Sequence, residues 1–397
     1  MDAALEQEPR PHFAPTQGFR KELNARVAAY FKDNNLPERD VPSMYFKTAI
    51  IVAWIVSCYY VLVFTQAPWF IKIPVALFMG LGTSAAVFNI GHDANHMAYS
   101  NRNWVNHLMA LSFDLNGATS SLWRYRHNII HHTYTNIAGV DFDISSAAPM
   151  MRMTPQDPWY AHHRYQHLFF PFFYMFLTPN WLVSDFIAMF VSGKYLGLHV
   201  SRPTTMDKVM WVAGKISVIC FLLVIPLSMG WAFWQLAIVV FLHYAVMGIM
   251  LAVVFQLAHV VEEVSVIIPE RQDVTLDDEF AIHQIKTSAD FAVNSGFWSW
   301  YLGGLNFQCV HHLLPRICHV HYPKLQPIVE QLCRERGVPY VANPTTWHAV
   351  RSHWRRMKYL TVANPEASNL VAAAKAMAQQ AGGSTQGASP GAAAPAA

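Results

Sequence analysis

The chain has 397 residues, of which 53% are hydrophobic and 13% are charged, with 20 histidines beside 28 Lys+Arg and 25 Asp+Glu. The charged fraction is about half of that in soluble globular domains, and the net charge of +3 is too small to indicate nucleic acid as a partner. The five cysteines include no C-x-x-C pair, which argues against a secreted disulfide framework and favours a reducing compartment.

The N-terminal segment, 1–45, lacks the apolar core of a signal peptide, and we predict that it is cytoplasmic with a short amphipathic helix at 17–33. Four later segments are apolar and close to the ~20 residues that a bilayer requires. They lie at 47–67, 70–90, 209–229 and 231–256.

The four apolar segments form two pairs, because the connections "QAPW" (66–69) and "MGW" (229–231) are very short. We therefore predict a first transmembrane hairpin over 46–90 and a second over 209–257. Neither connection contains Lys or Arg, so the positive-inside rule places both termini and the central region, 91–208, in the cytoplasm.

A fifth apolar stretch, 167–191, is rich in aromatic residues and is interrupted by Pro171, Pro179 and Asp185. A full crossing here would separate the histidine clusters onto two sides of the membrane, so we predict an interfacial or re-entrant segment. We predict a cytoplasmic region over 258–368 and a disordered low-complexity tail over 369–397.

Histidines cluster where the predicted spans end. The first cluster continues the second span, the next two lie in the cytoplasmic regions, and a single histidine follows the fourth span. Because the hairpins return the chain to the same side, these side chains can converge. They are His92 and His96, then His127, His131 and His132, then His311 and His312, and the single His259.

Eight imidazoles exceed the ligands of one four-coordinate site and suit two metal ions with four or five ligands each. Neutral imidazole is suited to iron, copper, nickel and zinc. The chain contains neither H-E-x-x-H nor E-x-x-H, which excludes those zinc-protease and carboxylate-bridged di-iron signatures. Nitrogen ligation of two redox metals beside a membrane indicates O₂ activation for attack on a lipid C–H bond.

The motifs H-D-A-N-H (92–96), H-N-x-x-H-H (127–132) and Q-x-x-H-H (308–312) resemble the three histidine boxes of membrane fatty acid desaturases, over roughly residues 45–330. The stretches 127–143, 256–263 and 303–323 resemble the front-end, linoleoyl-CoA desaturase-like branch. The resemblance implies an all-α integral membrane fold and two iron ions held by the eight histidines, with O₂ as co-substrate.

Two departures from the wider family pattern matter. Gln308 stands where many desaturases have histidine, and the front-end branch shares this glutamine. We predict that Gln308 is a weak ligand or a residue next to the ligands. The chain also contains no His-Pro pair, and therefore no H-P-G-G motif of a fused cytochrome b5-type domain. The resemblance thus implies a separate electron donor, either ferredoxin or a cytochrome b5-like protein with its reductase.

The predicted function is desaturation of a fatty acyl chain, in which O₂ and two electrons are consumed and a cis double bond is formed in an acyl-CoA or acyl-lipid. An apolar tunnel between the spans would set the position of the bond. One alternative is a hydroxylase or ketolase acting on alkane, sterol or carotenoid. Another is a transporter with a histidine-lined metal site, although clusters at span ends argue against it. We expect a multi-pass protein of the bacterial inner membrane rather than of the endoplasmic reticulum.

Other polar residues near the boxes have ordinary structural explanations. We predict structural or surface roles for His162, His163 and His167, loop anchoring for His319 and His321, and no site for His107, His243 and His283. Five acids are equally good as hydrogen-bond partners of the ligands or as exposed acids and caps: Asp93, Asp141, Asp143, Glu262 and Glu263. Three arginines could meet a substrate phosphate or simply lie on the surface: Arg124, Arg126 and Arg316.

Overall fold

The computed structural model describes residues 10–144, 147, 149–192, 194–195, 198–199, 204–269 and 273–362. Within these ranges the protein is mostly helical, and its strands form two small pairs. The predicted all-α integral membrane class is therefore confirmed. The predicted tail over 369–397 lies outside the described residues.

In chain order, the described α-helices are α1 (Phe19–Asp33), α2 (Pro42–Phe64), α3 (Trp69–Ala86), α4 (His92–Asn95), α5 (Asn103–Asp114), α6 (Ser120–Trp123), α7 (His132–Tyr134), α8 (Gln166–Tyr174), α9 (Leu177–Phe186), α10 (Thr205–Ile219), α11 (Ile225–Ser228), α12 (Phe233–His259), α13 (Phe280–Lys286), α14 (Gly296–Tyr301), α15 (Gln308–Leu313), α16 (Tyr322–Arg336) and α17 (Thr346–Tyr359).

Shorter segments complete this part of the chain. The π-helical segments are Val87–Gly91, Arg124–His131, Ile187–Ser192 and Cys220–Val224, and the 3₁₀ segments are Phe142–Ile144, Ala161–Tyr165 and His319–His321. The strands are β1 (Lys194–Tyr195) and β2 (Leu198–His199), which pair antiparallel, and β3 (Asp290–Phe291) and β4 (Ala342–Asn343), which pair parallel.

Helix α1 confirms the amphipathic helix predicted over 17–33. Its buried residues, Phe19, Leu23, Val27 and Phe31, recur every fourth position and therefore share one face of the helix. This face belongs to an apolar cluster that also contains Val329 from α16. Burial of the stripe joins the N-terminal segment to the region that follows the second pair of spans.

Four helical stretches of the described chain are long and apolar enough to cross a membrane, as predicted. They are Pro42–Phe64, Trp69–Asn95, Thr205–Ser228 and Phe233–His259. The second and fourth stretches have 27 residues each, which at 1.5 Å per residue is roughly 40 Å and exceeds a ~30 Å hydrocarbon core. His92 and His259 each lie near the C-terminal end of one of these two stretches. The domain limits and the sidedness stay predictions.

The second and fourth stretches form the inner pair of the membrane region. In the most apolar part of each stretch, 67% of the residues of the second and 50% of those of the fourth are buried inside the protein. The corresponding buried shares are 28% for the first stretch and 11% for the third. Gly80 permits the close approach of α3 to α12, because a Cβ atom there would lie 2.8 Å from the carbonyl oxygen of His243. The two helices that end in histidines are therefore held together directly.

The apolar stretch predicted over 167–191 is not a straight helix. Ala161–Tyr174 and Leu177–Val191 meet at an angle of 77°, with Met175 and Phe176 between them. Pro171 lies inside α8, shortly before the bend. The bend excludes a straight crossing, and the interfacial or re-entrant placement stays a prediction.

Candidate metal centre

The first two histidine boxes lie on helices that change their winding at the boxes. The π-helical segment Val87–Gly91 directly precedes His92, and His96 ends the short helix α4. The π-helical segment Arg124–His131 contains His127 and ends at His131. The continuous α-helical spacing that the sequence predicts is thus interrupted by π turns, which occur frequently at functional sites.

The first histidine group consists of His92, His96, His127 and His311. All four are buried, and one ring nitrogen from each lies within 4.8 Å of the others. The Nε2 atoms of His96 and His311 are buried without a hydrogen-bond partner in the described part of the protein. Buried nitrogens cost free energy when they are unpaired, so these four rings have the arrangement of a metal site.

The second histidine group consists of His131, His259 and His312, whose ring nitrogens also lie within 4.8 Å of one another. The buried Nε2 of His131 has no hydrogen-bond partner among the described residues. The side-chain amide of Gln308 completes this group, since its Nε2 lies 2.9 Å from Nε2 of His259 and 3.3 Å from Nε2 of His312. Gln308 therefore lies beside two of the three imidazoles of this group.

His132 lies between the two groups. Its Nε2 is 3.2 Å from Nε2 of His127, and its ring centroid is 4.6 Å from that of His311 and 4.4 Å from that of His312. All eight predicted histidines and Gln308 thus come together in one buried cluster. The adjacent pairs 131–132 and 311–312 each contribute to more than one part of it.

The imidazoles of the second group are oriented by hydrogen bonds to their outer nitrogens. Nδ1 of His131 lies 2.9 Å from Oδ2 of Asp141, Nδ1 of His312 lies 2.8 Å from Oε1 of Gln284, and Nδ1 of His259 lies 3.1 Å from the carbonyl oxygen of Thr287. An Nδ1–H that donates outward leaves the lone pair of Nε2 facing the group, as in the ligand histidines of metalloproteins. An all-imidazole donor set suits iron, copper or zinc.

The electrostatic environment keeps most of these imidazoles neutral. Burial, reinforced by the neighbouring rings, lowers the pKa well below its ordinary value at His96, His127, His132, His311 and His312. Burial also disfavours a charge on His131, but the Asp141 carboxylate outweighs it and raises the pKa of that ring. Neutral imidazole is the form that binds metal, so the cluster is compatible with metal binding.

A family model described as "Fatty acid desaturase" matches residues 67–344, which contain all eight histidines. The chain is 42% identical over 354 residues to an sn-1 linoleoyl-lipid 6-desaturase of Arthrospira platensis, covering 89% of this chain and 95% of that protein. The chain belongs to the fatty acid desaturase family. It is an oxidoreductase that acts on fatty acyl chains, and the hydroxylase or ketolase alternative is not favoured.

Other relatives agree with this membership. An sn-1 linoleoyl-lipid 6-desaturase of Synechocystis is 37% identical over 346 residues, which is 87% of this chain and 96% of that protein. An acyl-lipid (8-3)-desaturase of Physcomitrium patens is 35% identical over 351 residues, which is 87% of this chain and 72% of that protein. With its four apolar helices, the desaturase is a membrane protein.

The desaturase contains a cavity of about 430 Å³ that reaches the histidine cluster. His92, His127 and Gln308 lie on its wall, together with apolar residues from both inner helices, such as Phe88 and Phe255. The cavity therefore extends from the apolar inner helices to the first histidine group and to Gln308, which lies beside the second group. Its largely apolar lining suits the acyl chain on which a desaturase acts.

A third cluster, Asp93, Cys318 and His319, also brings its ligand atoms within 4.8 Å of one another. Both ring nitrogens of His319 are engaged by the protein, since Nδ1 lies 2.8 Å from Asp93 and Nε2 lies 2.9 Å from Nζ of Lys47. This network ties the loop after the third box to the first span. It agrees with the predicted role of His319 as a loop anchor.

The remaining candidate histidines lie outside the two groups. The rings of His162 and His163 lie near the carbonyl oxygen of Pro149, at 3.0 and 2.9 Å, which agrees with their predicted structural role. The others occupy separate positions: His167 packs on Trp354, His321 packs on Phe31, His107 is exposed, His243 is buried within α12, and Nε2 of His283 lies 2.8 Å from the carbonyl oxygen of Thr135.

The charged candidates also divide. Asp141 bonds a boxed histidine, and Asp143 lies 2.9 Å from Arg126 and 3.8 Å from Nδ1 of His127. The others contact different parts of the protein: Asp93 bonds His319, Glu262 pairs with Arg355, Glu263 bonds Ser352, Arg124 bonds Asn95, and Arg316 is exposed. Sequence reasoning missed Gln284 and Thr287, because a lone polar residue carries no spacing signal.

Proposed function

We propose that the desaturase is an O₂-dependent di-iron enzyme whose two iron ions are held by the two histidine groups. His92, His96, His127 and His311 would hold one ion, and His131, His259 and His312 the other, with His132 between them and Gln308 beside the second. The observation that carries this proposal is the pair of buried histidine groups, in which Nε2 of His96, His131 and His311 is unpaired among the described residues, beside a cavity that His92 and His127 line. When bound, the iron ions would activate O₂, so that two adjacent methylenes of the acyl chain are oxidised and O₂ is reduced.

The protein's own residues would prepare this chemistry in three ways. Burial keeps the imidazoles neutral and available as ligands. Asp141 and Gln284 orient two rings of the second group through their Nδ1 atoms. The apolar cavity wall, with Trp123 beside His127, holds the acyl chain against the cluster and excludes water, so that the seating of the chain sets which carbons react.

We further propose that the substrate is a linoleoyl chain esterified to a membrane lipid and that the new double bond forms at position 6. Support comes from the two cyanobacterial relatives, which are named sn-1 linoleoyl-lipid 6-desaturases and which this chain matches over 95% and 96% of their lengths. The acyl-CoA alternative has no such support from these relatives. The electrons would come from a separate ferredoxin or cytochrome b5-like protein with its reductase.

Expression in a host that lacks position-6 desaturation, with a competent electron donor, tests the activity. Fatty acid methyl ester analysis should show a new double bond at position 6 of linoleoyl chains, and separation of the lipid classes before hydrolysis should show it in lipid-bound chains. His131→Ala should abolish the product and lose iron together. An unchanged profile from folded, metallated protein with an active donor would contradict the proposal.

Metal analysis tests the centre independently of activity. Purified protein that has met neither a chelator nor a metal-affinity resin should contain about two irons per chain, the stoichiometry implied by two histidine groups. Stoichiometric zinc without iron would contradict a di-iron centre.

We propose that both termini and the histidine cluster face the cytoplasm of a bacterial inner membrane. Single cysteines introduced near residues 100, 200 and 330 of a cysteine-free variant should all react from the cytoplasmic side. Labelling near residue 200 solely from the opposite side would show that 167–191 crosses the membrane, and it would overturn the proposed topology.

A further inference from the structure

Helix α13 lies against the second histidine group, although its residues belong to none of the boxes. Gln284, on this helix, is fully buried, and its Oε1 lies 2.8 Å from Nδ1 of His312. Its Nε2 lies 3.4 Å from the carbonyl oxygen of Thr133. Since an amide nitrogen donates to a carbonyl, this second contact turns the amide oxygen toward the imidazole.

The same oxygen also contacts the second histidine box. The hydroxyl of Thr135 lies 2.8 Å from Oε1 of Gln284 and 2.7 Å from the carbonyl oxygen of His131. Gln284 therefore touches the ring of His312 and the turn that directly follows His131. It links the third box to the turn after the second, although Gln284 itself lies 149 residues from Thr135 in sequence.

Helix α13 is held in place by the N-terminal arm, residues 10–18. The ring of Phe13 packs edge-on against His283, with centroids 5.2 Å apart. The carboxylate of Glu279, the residue before α13, accepts hydrogen bonds from the backbone N–H groups of Gln17 and Phe19. The contact between Gln284 and His312 thus rests on a packed element rather than on a mobile loop.

We propose that Gln284 is a positioning residue that fixes the tautomer and orientation of His312 and thereby completes the second metal subsite. This inference rests on the proposed di-iron function. An acceptor at Nδ1 holds the proton there, which leaves the Nε2 lone pair directed into the group. Without the amide oxygen, Nδ1 of His312 keeps only the more distant hydroxyl of Thr135, at 3.3 Å. The ring can then take the other tautomer or rotate, and the subsite loses one of three imidazoles.

Gln166 provides a matched control, since it is a buried glutamine in another part of the protein. Its amide bonds backbone atoms of Arg152 and Met357, and it contacts neither histidine group. Replacing either glutamine by methionine removes a buried amide at similar side-chain size. A purely structural loss would therefore affect both variants alike.

The experiment compares Gln284→Met, Gln284→Glu and Gln166→Met in full-length protein loaded with ⁵⁷Fe. Gln284→Met should fall from about two irons per chain to about one, with metal affinity of the affected subsite 10- to 100-fold weaker, and Mössbauer spectra should lose one iron component selectively. Gln284→Glu keeps an acceptor, so it should keep two irons and shift the reduction potential to a more negative value. Gln166→Met should keep both irons.

Two irons at wild-type affinity in folded Gln284→Met would overturn the role of Gln284, as would a Gln284→Glu protein as depleted as Gln284→Met. Should Gln284→Met fail to fold, Gln284→Asn tests the same point, because its amide is one methylene too short to reach His312 and should leave about one iron. Wild-type protein with two irons but no desaturation would instead contradict the proposed function. The two failures are therefore distinguishable.

Discussion

The two histidine groups are built differently although they lie in one buried cluster. Half of the first group, His92 and His96, comes from one helix end, so local spacing already brings those rings together. The second group draws His131, His259 and His312 from three separate parts of the chain. Local geometry brings together half of the first group, whereas tertiary packing brings together every member of the second.

The second group compensates with more supporting contacts. Its fourth position is an amide, Gln308, and its three imidazoles are held by a carboxylate, an amide and a backbone carbonyl, respectively. Such mixed support gives three rings of different basicity. We therefore expect the second metal ion to be the more weakly bound and the more easily tuned by substitution.

The largest losses of iron and activity should come from single substitutions at His311 and His312. His311 and His312 are neighbours in sequence but belong to different groups, so His311→Ala and His312→Ala should each lower iron from about two to about one per chain. Activity should fall by more than about 100-fold in both, beyond the usual losses for outer contacts. Mössbauer spectra should show that different iron components disappear.

The exposed His107 supplies the control, and His107→Ala should keep both irons. Loss of the same iron component from His311→Ala and His312→Ala would contradict the assignment of these two residues to different groups.

The amide in the second group is tested next. Gln308→Ile removes both an oxygen ligand and a hydrogen-bond donor beside His259 and His312, so activity should fall by roughly 10-fold or more even when little iron is lost. Gln308→His should retain more activity than Gln308→Ile, because it restores a nitrogen donor at the same place. The measurement is turnover at matched protein and iron levels.

Gln308→Ser distinguishes a role in the site from a role in capping the turn before His311. Nearly normal activity with serine, alongside equal impairment with histidine and isoleucine, would remove Gln308 from the metal site.

A smaller effect, on metal affinity, should follow from substitution of the Asp141 carboxylate, which bonds His131. Asp141→Asn keeps a hydrogen-bond acceptor but removes the charge that faces His131, so the metal affinity of the second group should weaken by about 10-fold while the first group keeps its ion. Metal affinity is best measured by competition with a chromogenic chelator. Glu263→Gln is the control, since Glu263 bonds Ser352 and should leave both ions in place. Equal weakening of both ions would contradict separate support of the two groups.

The smallest effect on activity should come from Asp290, which contacts the helix shared by both histidine groups. This buried carboxylate accepts a hydrogen bond from the backbone N–H of Cys309, in the helix that carries His311 and His312. Burial raises the pKa of Asp290 from 3.8 to about 6, although bonds from Tyr340 and Cys309 oppose the shift. The ionised form is therefore disfavoured in the folded protein.

The protonated form of Asp290 stabilises the fold, fully below pH 3.8, and this contribution is lost as the pH rises toward and through about 6. At 1.36 kcal/mol per pH unit, the total is about 3 kcal/mol. Asp290→Asn lacks this titration, so its Tm in detergent should gain on that of the wild type between pH 4 and 6. Parallel Tm curves for the two proteins would contradict the raised pKa.

Much of the architecture was predictable from the sequence. The four apolar segments were found because burial in lipid requires long uninterrupted runs of apolar residues, and the resulting helices agree with prediction within a few residues. Helix α12 ends three residues beyond the predicted span, at His259, and α3 ends at Ala86, where the π-helical segment Val87–Gly91 continues the predicted span. The segment limits in the cytoplasmic regions had no comparable signal.

Other features required the tertiary structure. The α-helical spacing expected for His92 and His96 is confirmed, but the π turns before His92 and around His127 were not predicted, because their hydrogen-bond pattern has no clear sequence signal. The 77° bend between α8 and α9 depends on packing as well as on Pro171. The role of Gln284 could not be predicted from the sequence, because it depends on a contact with His312, which lies 28 residues away.

The sequence by itself determined which residues could bind metal and on which helix ends they stand, since ligand chemistry and hydrophobic length are local properties. The tertiary structure alone decided how these residues are divided. It places His311 with His92 and His96, and the next residue, His312, with His131 and His259. The physical reason is that adjacent side chains leave a helix about 100° apart, so only packing against other elements decides what each of them meets.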